Sequence, residues 1–358
     1  MPASMQAIVY KDPGGVRVLE RPLPALEHPG DALVRVTTAG LCGSDLHIVD
    51  GRDRGCRAGT IMGHELVGVV DRVGAAVTRF RPGDRVVSPF SVSCGACFYC
   101  RRSLPARCEA AACFGFVNED GRGLEGAQAE VVRVPLADST LVRVPDAGDG
   151  QALADREVLF LGDILSTAWG CAEAGGVQPG DVVAVVGCGP VGLLCVEVLR
   201  QMKPAAVVAV EAVPYRRAQA ARFGAEAVAP EEALAAVQAQ TEGRGADVVL
   251  EAVGAGPALD LAIALVRPGG TVSIAGYHTD EVYPLGIQAA YGKNLTLKIG
   301  RCNARYHMER LMPLVAARAL RHTEIITHEM PLSAGEEAYA MFRERRDGAI
   351  KVLLDPGR

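Results

Sequence analysis

Apolar and polar residues alternate in short runs along the first 145 residues. "MQAIVY", "ALVRVTTAG", "LVGVVDRVG", "DRVVSPF", "QAEVVRVP" and "TLVRVP" each carry β-branched or alternating apolar positions, with Gly, Pro and Asp between them. A period of two bounded by turn residues predicts half-buried strands. From residue 182 the pattern changes. "DVVAVVGCGPVGLLCVEVLRQM" reads as a buried strand, a tight turn and an apolar helix. "AAVVAVEAV", "EAVAP", "ADVVLEAVG" and "GGTVSIAG" read as further short apolar strands. "PYRRAQAARFGA", "EEALAAVQAQT" and "PALDLAIALVRP" read as the helices that alternate with them. Such alternation predicts a parallel sheet covered on both faces. Residues 300–358 add one or two helices and a terminal strand, "GAIKVLLDP". The pattern therefore predicts an α/β chain in two parts. Residues 1–162, completed by 301–358, form a mainly β domain, and residues 163–300 form a doubly wound parallel-sheet domain.

Length agrees with two domains, since 358 residues exceed one ordinary core. The net charge is −5, and no basic run or interleaving of basic and aromatic residues occurs, so nucleic acid is not expected as a partner. Gly, Pro or charge interrupts every apolar run short of a membrane span, so no membrane association is expected. The first residues, "MPASMQAIVYKDPGG", lack the basic and apolar regions of a secretory signal. A cytoplasmic location is the expectation.

Eleven cysteines change the picture. In a reducing compartment, clustered cysteines more often bind metal than form disulfides. Cys94, Cys97, Cys100 and Cys108 follow C-x2-C-x2-C-x7-C spacing in a loop rich in Gly, Pro and Arg. Two-residue gaps put successive sulfurs on one turn, and the fourth returns from a short loop, so the set is expected to close around a structural zinc. Cys56, Cys113, Cys171, Cys188, Cys195 and Cys302 are scattered and read as small buried hydrophobes. "GLCGSDLH", residues 40–47, followed by "GHE", residues 63–65, fits three readings: a reactive thiol, a buried cysteine, or half of a metal site.

Gly187-Cys188-Gly189-Pro190-Val191-Gly192 follows an apolar strand and opens a helix, the context in which G-x-G-x-x-G signals dinucleotide binding. Gly187 permits the tight turn, Gly189 lets a pyrophosphate approach the helix N-terminus, and Gly192 allows close packing of helix on strand. Glu211 ends the second strand, where a carboxylate binds the adenosine ribose and repels a 2′-phosphate. NAD is expected over NADP. Arg216 and Arg217 follow closely and pull the other way, since an arginine accommodates that phosphate.

Together, "GLCGSDLHI", "GHELVGVVDRVG", "CGACFYC", "GCGPVG" and "RPGGTVSIAG" resemble the zinc-dependent medium-chain alcohol dehydrogenases over nearly the whole chain. "GLEGAQAEVVRVPLADSTLV" with "LFLGDILSTAW" is most similar to the formaldehyde-dehydrogenase-like branch. The resemblance implies a GroES-like catalytic domain beside a Rossmann-type NAD-binding domain, two Zn²⁺ per chain and a homodimer or homotetramer. It implies that Cys42 and His64 are catalytic zinc ligands and that Asp163 takes the place of the family's third ligand. Asp163 as a helix cap, or Glu65 ligating directly, are the rival arrangements. Asp45 matches the acid that orients the ligand histidine, and Glu65 the acid beside it. Ser44 and His47 match the proton relay, Phe90 a pocket wall, and Thr167 a nicotinamide contact. Lys351 matches a pyrophosphate-binding basic residue, and Arg216 joins the cofactor set. Gly43 stands where some members place an arginine on the pyrophosphate.

The implied reaction is hydride transfer between a small-molecule alcohol and NAD, or from NADH to an aldehyde or ketone. A tailoring dehydrogenase for a natural-product or cyclitol intermediate, and an aldehyde dismutase with retained cofactor, are the alternatives on the same fold. A non-enzymatic zinc module is disfavoured by the acidic charge and the hydride-transfer residues.

Overall fold

A computed structural model describes residues 4–11, 14–145 and 152–357. In chain order its strands are β1 (Ser4–Tyr10), β2 (Val16–Pro22), β3 (Ala32–Gly40), β4 (Glu65–Val73), β5 (Arg85–Ser88), β6 (Phe116–Val117), β7 (Gly123–Leu124), β8 (Val131–Val134) and β9 (Val142–Arg143). Then follow β10 (Val182–Val186), β11 (Ala206–Val210), β12 (Glu226–Val228), β13 (Ala246–Glu251), β14 (Val266–Ile274) and β15 (Thr296–Ile299). The last two are β16 (Ile326–Pro331) and β17 (Lys351–Asp355).

The chain divides into two compact units. The first holds Met1–Ser166, Asn303–Ala319 and Thr323–Arg358, and the second Thr167–Cys302 with Leu320–His322. The first boundary lies past the expected 162, inside the helix Ile164–Gly175, so Asp163 belongs to the first unit.

The first unit is built on a seven-stranded sheet ordered β16-β17-β3-β4-β5-β9, with β8 also paired to β3. β3 and β4 run antiparallel with Gly40 opposite Glu65, and β17 runs antiparallel to β3 with Leu353 opposite Gly40. The C-terminal segment thus supplies strands to a sheet begun near residue 32. Alternation explains the core: Val34, Val36, Leu66, Val70, Val86, Val132, Val352 and Leu354 pack in one apolar cluster with Tyr339 and Phe342 of the helix Gly335–Glu344.

The second unit carries a six-stranded parallel sheet ordered β12-β11-β10-β13-β14-β15. This is the strand order of a doubly wound dinucleotide fold, whose switch point lies between β10 and β13. β10 is buried at all five positions, as a central strand covered on both faces should be.

Five strands were not marked by the apolar pattern, two of them the two-residue strands β6 and β7, too short to show a period. β2 is mostly exposed, and Arg17, Glu20 and Arg21 interrupt its apolar positions where it pairs with β1. β15 and β16 are sheet edges with few buried residues, so neither generates the apolar run by which an inner strand is recognised.

Candidate active site

The turn "LCGSD" is locked by its own backbone. Cys42 precedes the helix Gly43–Val49, and the Asp45 Oδ2 accepts the Cys42 N–H at 2.9 Å, which suits an acid in a first helical turn. The other Asp45 oxygen, Oδ1, lies 3.2 Å from His64 Nδ1. The buried carboxylate therefore holds a proton on Nδ1 and turns Nε2 towards the other side of the ring, where a metal can replace its proton. Gln128 adds a third hydrogen bond to Asp45, donating from Nε2 to Oδ2 at 3.2 Å.

Asp163 reaches the same place from a distant part of the chain. The Phe90 N–H donates to the Gly162 carbonyl at 3.0 Å, and a Cβ on Gly162 would fall 2.2 Å from the Ser88 carbonyl oxygen. Glycine at 162 is what lets this segment lie against the end of β5. Phe90, expected as a pocket wall, is buried at this junction.

The three expected ligands converge. Asp163 Oδ2 is 3.4 Å from Cys42 Sγ and 3.3 Å from His64 Nε2. Zinc bonds of about 2.0–2.3 Å in a tetrahedron require donors about 3.3–3.8 Å apart. The donor set and its spacing fit a zinc ion. Ser44 Oγ lies 3.3 Å from Cys42 Sγ and 3.4 Å from His64 Nε2, at the edge of the same group.

Glu65 also joins the cluster, within 4.8 Å of the other donors. Its Oε1 accepts from Lys351 Nζ at 2.6 Å, whereas its buried Oε2 has no hydrogen-bond partner among the described residues. Lys351 donates further to the Leu41 carbonyl at 2.7 Å and is fully buried. The expectation that Lys351 binds a pyrophosphate is thereby corrected: its ammonium is engaged inside the first unit as the counter-charge of Glu65.

Burial and neighbouring charge set the protonation of the cluster. Burial pushes the Cys42 thiol up, and the Asp163 anion adds to this. Burial works against a charged His64 ring, but the Asp45 and Cys42 anions overrule it and hold its pKa well above the ordinary value. Burial works against the Asp163 anion, but the hydrogen bond from His64 holds its pKa below the usual one. Burial lifts Glu65 to about 7 despite Lys351. Protons thus balance the charge of this pocket when no metal does, and metal binding must displace them. His47, one turn beyond Ser44, is drawn below its ordinary value by burial and then by Arg52.

Cys94, Cys97, Cys100 and Cys108 form a second candidate metal cluster. Backbone amides point at its sulfurs: Cys94 N–H to Cys108 Sγ at 3.2 Å, and Cys97 N–H to Cys94 Sγ at 3.3 Å. Such donors favour thiolates. The amide of Cys100 leads the effects that bring Cys97 down to about 6, while burial first, then the hydrogen bond to the Cys97 sulfur, carries Cys100 up to about 12.

In the second unit, Gly187 to Gly192 join β10 to the helix Pro190–Met202, with Gly189 capping it and Pro190 as its first residue. A Cβ on Gly192 would fall 1.8 Å from the Gly187 carbonyl oxygen, so the turn closes only with glycine there. Val191 follows within the first helical turn. The Glu211 carboxylate accepts from the Cys188 amide at 2.7 Å and from the Val213 amide at 2.9 Å. Arg217 is turned onto the Glu211 and Ala212 carbonyls, both at 2.8 Å. Arg216 instead approaches Gly189, its NH1 3.8 Å from the place of a Cβ there, and its buried Nε has no hydrogen-bond partner among the described residues. Thr167 is half-buried on the helix Ile164–Gly175 and is assigned to the second unit. Gln128 and Gly162 were not anticipated as site residues: both lie in stretches that carry the family resemblance, but only the folded chain brings Gln128 to Asp45 and Gly162 against Ser88.

Comparison with known proteins decides the family. Residues 28–146 match the alcohol dehydrogenase GroES-like domain, and residues 190–317 match the zinc-binding dehydrogenase domain. The zinc-type alcohol dehydrogenase B of Aspergillus flavus is 37% identical over 99% of this chain and 82% of its own length. The chain belongs to the zinc-dependent medium-chain alcohol dehydrogenases. This dehydrogenase is accordingly an oxidoreductase that acts on alcohols. It is also 44% identical to the medium chain reductase/dehydrogenase ucsI of an Acremonium species, over 77% of this chain and 95% of that one. Among solved structures it is similar to the alcohol dehydrogenase TADH from Thermus sp. ATN1, with a TM-score of 0.91 and 39% identity, covering 98% of this chain and 99% of the other.

The four-cysteine cluster of this dehydrogenase yields a test. In metal-free protein at pH 7, Cys97 is expected to be mainly thiolate and Cys100 thiol. Peptide mass spectrometry after brief iodoacetamide treatment is expected to find Cys97 alkylated at least ~10-fold faster than Cys100. Equal rates, or Cys100 ahead, would contradict the assignment.

Proposed function

We propose that the chain oxidises a small-molecule alcohol to an aldehyde or ketone, reversibly, with NAD as hydride acceptor and with zinc held by Cys42, His64 and Asp163. The observation that carries this reading is the convergence of those three donors, Asp163 Oδ2 lying 3.4 Å from Cys42 Sγ and 3.3 Å from His64 Nε2, with the Ser44 hydroxyl beside them. A zinc ion there supplies Lewis-acid chemistry that makes an alcohol hydroxyl more acidic, and the nicotinamide supplies the hydride acceptor. The chain's own residues do the rest. Ser44 Oγ accepts the hydroxyl proton as it passes its own proton onward. His47, kept neutral near pH 7 by burial, is the onward acceptor. Asp45 fixes the His64 tautomer, and Lys351 offsets the charge of Glu65. Four thiolates leave no open position, so the Cys94–Cys108 site takes a structural zinc, giving two ions per chain. Both thiolate-bearing sites need reduced sulfur, which supports a cytoplasmic location. No helix of the described residues is long and apolar enough to cross a membrane.

Replacing Asp163 tests the ligand set. Asp163→Ala is expected to lower bound zinc from two ions to one and activity by more than ~100-fold, with dinucleotide binding unchanged. Asp163→Cys is expected to keep both ions. Metal analysis and steady-state rates read the result, and an active, fully loaded alanine variant refutes the assignment.

Glu211 favours NAD, because its carboxylate, held by two loop amides, repels a 2′-phosphate. Arg217 is engaged with carbonyls, so Arg216 is the competing arginine. Glu211→Ala is expected to raise the NADP:NAD ratio of kcat/KM by about 10-fold or more, about 1.4 kcal/mol in relative binding. A wild-type preference for NADP overturns this reading.

The assembly we propose is a homo-oligomer joined along β15. β15 ends its sheet with an edge that no strand among the described residues pairs, and Val282, Ile287, Tyr291 and Ile299, each more than 70% exposed, lie on or near it in sequence. An open edge with large exposed apolar side chains is a pairing surface, and a second copy related by a two-fold axis pairs with it antiparallel. Sedimentation is expected to show a dimer or tetramer that Ile299→Lys with Tyr291→Lys converts towards smaller species. A monomeric wild type rules it out.

A further inference from the structure

The hydrogen bonds that orient His64 continue past Asp45. Gln128 is fully buried, and its Nε2 donates both to Asp45 Oδ2 and to the Gly40 carbonyl, each at 3.2 Å. Its Oε1 accepts from the Tyr339 hydroxyl at 2.8 Å. Tyr339 lies on the helix Gly335–Glu344, 211 residues away in sequence and buried in the apolar core. We propose that Tyr339 is a positioning residue of the candidate metal centre, acting through Gln128 and Asp45 on the ring of His64.

The chemistry allows one arrangement of this chain of bonds. Asp45 and the Gly40 carbonyl are both acceptors, so the Gln128 nitrogen must face them and its oxygen must face Tyr339. A phenol donor completes the set. Burial raises the Tyr339 pKa well above its ordinary value, so the donor stays protonated. The Gln128 backbone is fixed beside the segment that leads into His64: its N–H donates to Met62, Ala127 N–H donates to Gly63, and its carbonyl accepts from Ile8, at 2.8–2.9 Å.

The hydroxyl has no packing role that phenylalanine could not fill, since Ala338 and Phe342 complete the same buried helix face. Without it, Gln128 Oε1 is buried unpaired, and rotation of the amide would set that oxygen against the Asp45 carboxylate. Asp45 would then lose one of its three hydrogen bonds, and with it the constraint that keeps His64 Nδ1 protonated and Nε2 free for a metal.

This inference rests on zinc binding at Cys42, His64 and Asp163, and the experiment separates the two. Full-length zinc-loaded protein is challenged with the chromogenic chelator pyridylazoresorcinol, and the release of each ion is followed. The ion of the four cysteines serves as the internal reference. Cobalt-substituted protein supplies the visible spectrum of the catalytic site. Tyr339→Phe is expected to speed release of the His64-bound ion roughly 5–10-fold, to leave the four-cysteine ion unchanged, and to shift the cobalt bands. In an Asp45→Asn background, Tyr339→Phe is expected to add nothing, because the link it acts through is already cut. Gln128→Met should mimic Tyr339→Phe if it folds, and Tyr339→Phe is decisive without it. Wild-type release and spectrum for Tyr339→Phe overturn the proposal. Equal loosening of both ions, or an additive effect on Asp45→Asn, also overturns it. A wild type that binds no ion at Cys42, His64 and Asp163 overturns the metal reading first, and the proposal with it.

Discussion

Cys42, Asp45, Glu65 and Asp163 are buried together with one permanent cation, Lys351, and one histidine. Several anions in a low-dielectric pocket repel one another strongly and are stable only when paired or neutralised. Here protons do part of that work, as the raised Cys42, His64 and Glu65 show. A divalent ion does it better, because it neutralises thiolate and carboxylate at once and uses the donor spacing already present.

The fold is what makes such a pocket possible. Gly40 stands opposite Glu65 on β4 and Leu353 on β17, so the end of β3 lies between the two C-terminal and N-terminal contributions to the site. The Leu41 amide then bonds to the Val352 carbonyl at 3.0 Å, which places Cys42 beside the strand carrying Lys351. Sheet register thus supplies the thiolate, the glutamate and the counter-charge, while the Gly162 turn supplies the aspartate. Tyr339 ties the same centre to the last helix. The C-terminal segment completes the metal-site unit in topology and in chemistry.

How far this was legible in the sequence depended on whether the determining contacts were local. The strand–turn–helix at 182–202 and the parallel sheet were, because apolar runs and a glycine turn act within a few residues. The four-cysteine cluster was equally plain from its spacing. Cys42, His64 and Asp163 were grouped by family resemblance, and the structure brings them together. Lys351 was misplaced because a lysine near the C-terminus gives no local sign of burial, and a buried glutamate nearly three hundred residues away decides its role. Gln128 and Tyr339 were silent for the same reason. Edge strands β15 and β16 were missed because exposed strands lack the apolar run that marks an inner one.

The most direct test of the central claim is a crystal structure of the zinc-loaded protein with anomalous scattering measured on both sides of the zinc edge. The expected result is a peak among the four clustered cysteines and another bounded by Cys42 Sγ, His64 Nε2 and an Asp163 carboxylate oxygen, with Glu65 still paired to Lys351. A peak absent from the second place, or an ion held by Glu65 with Asp163 turned away, would contradict the account.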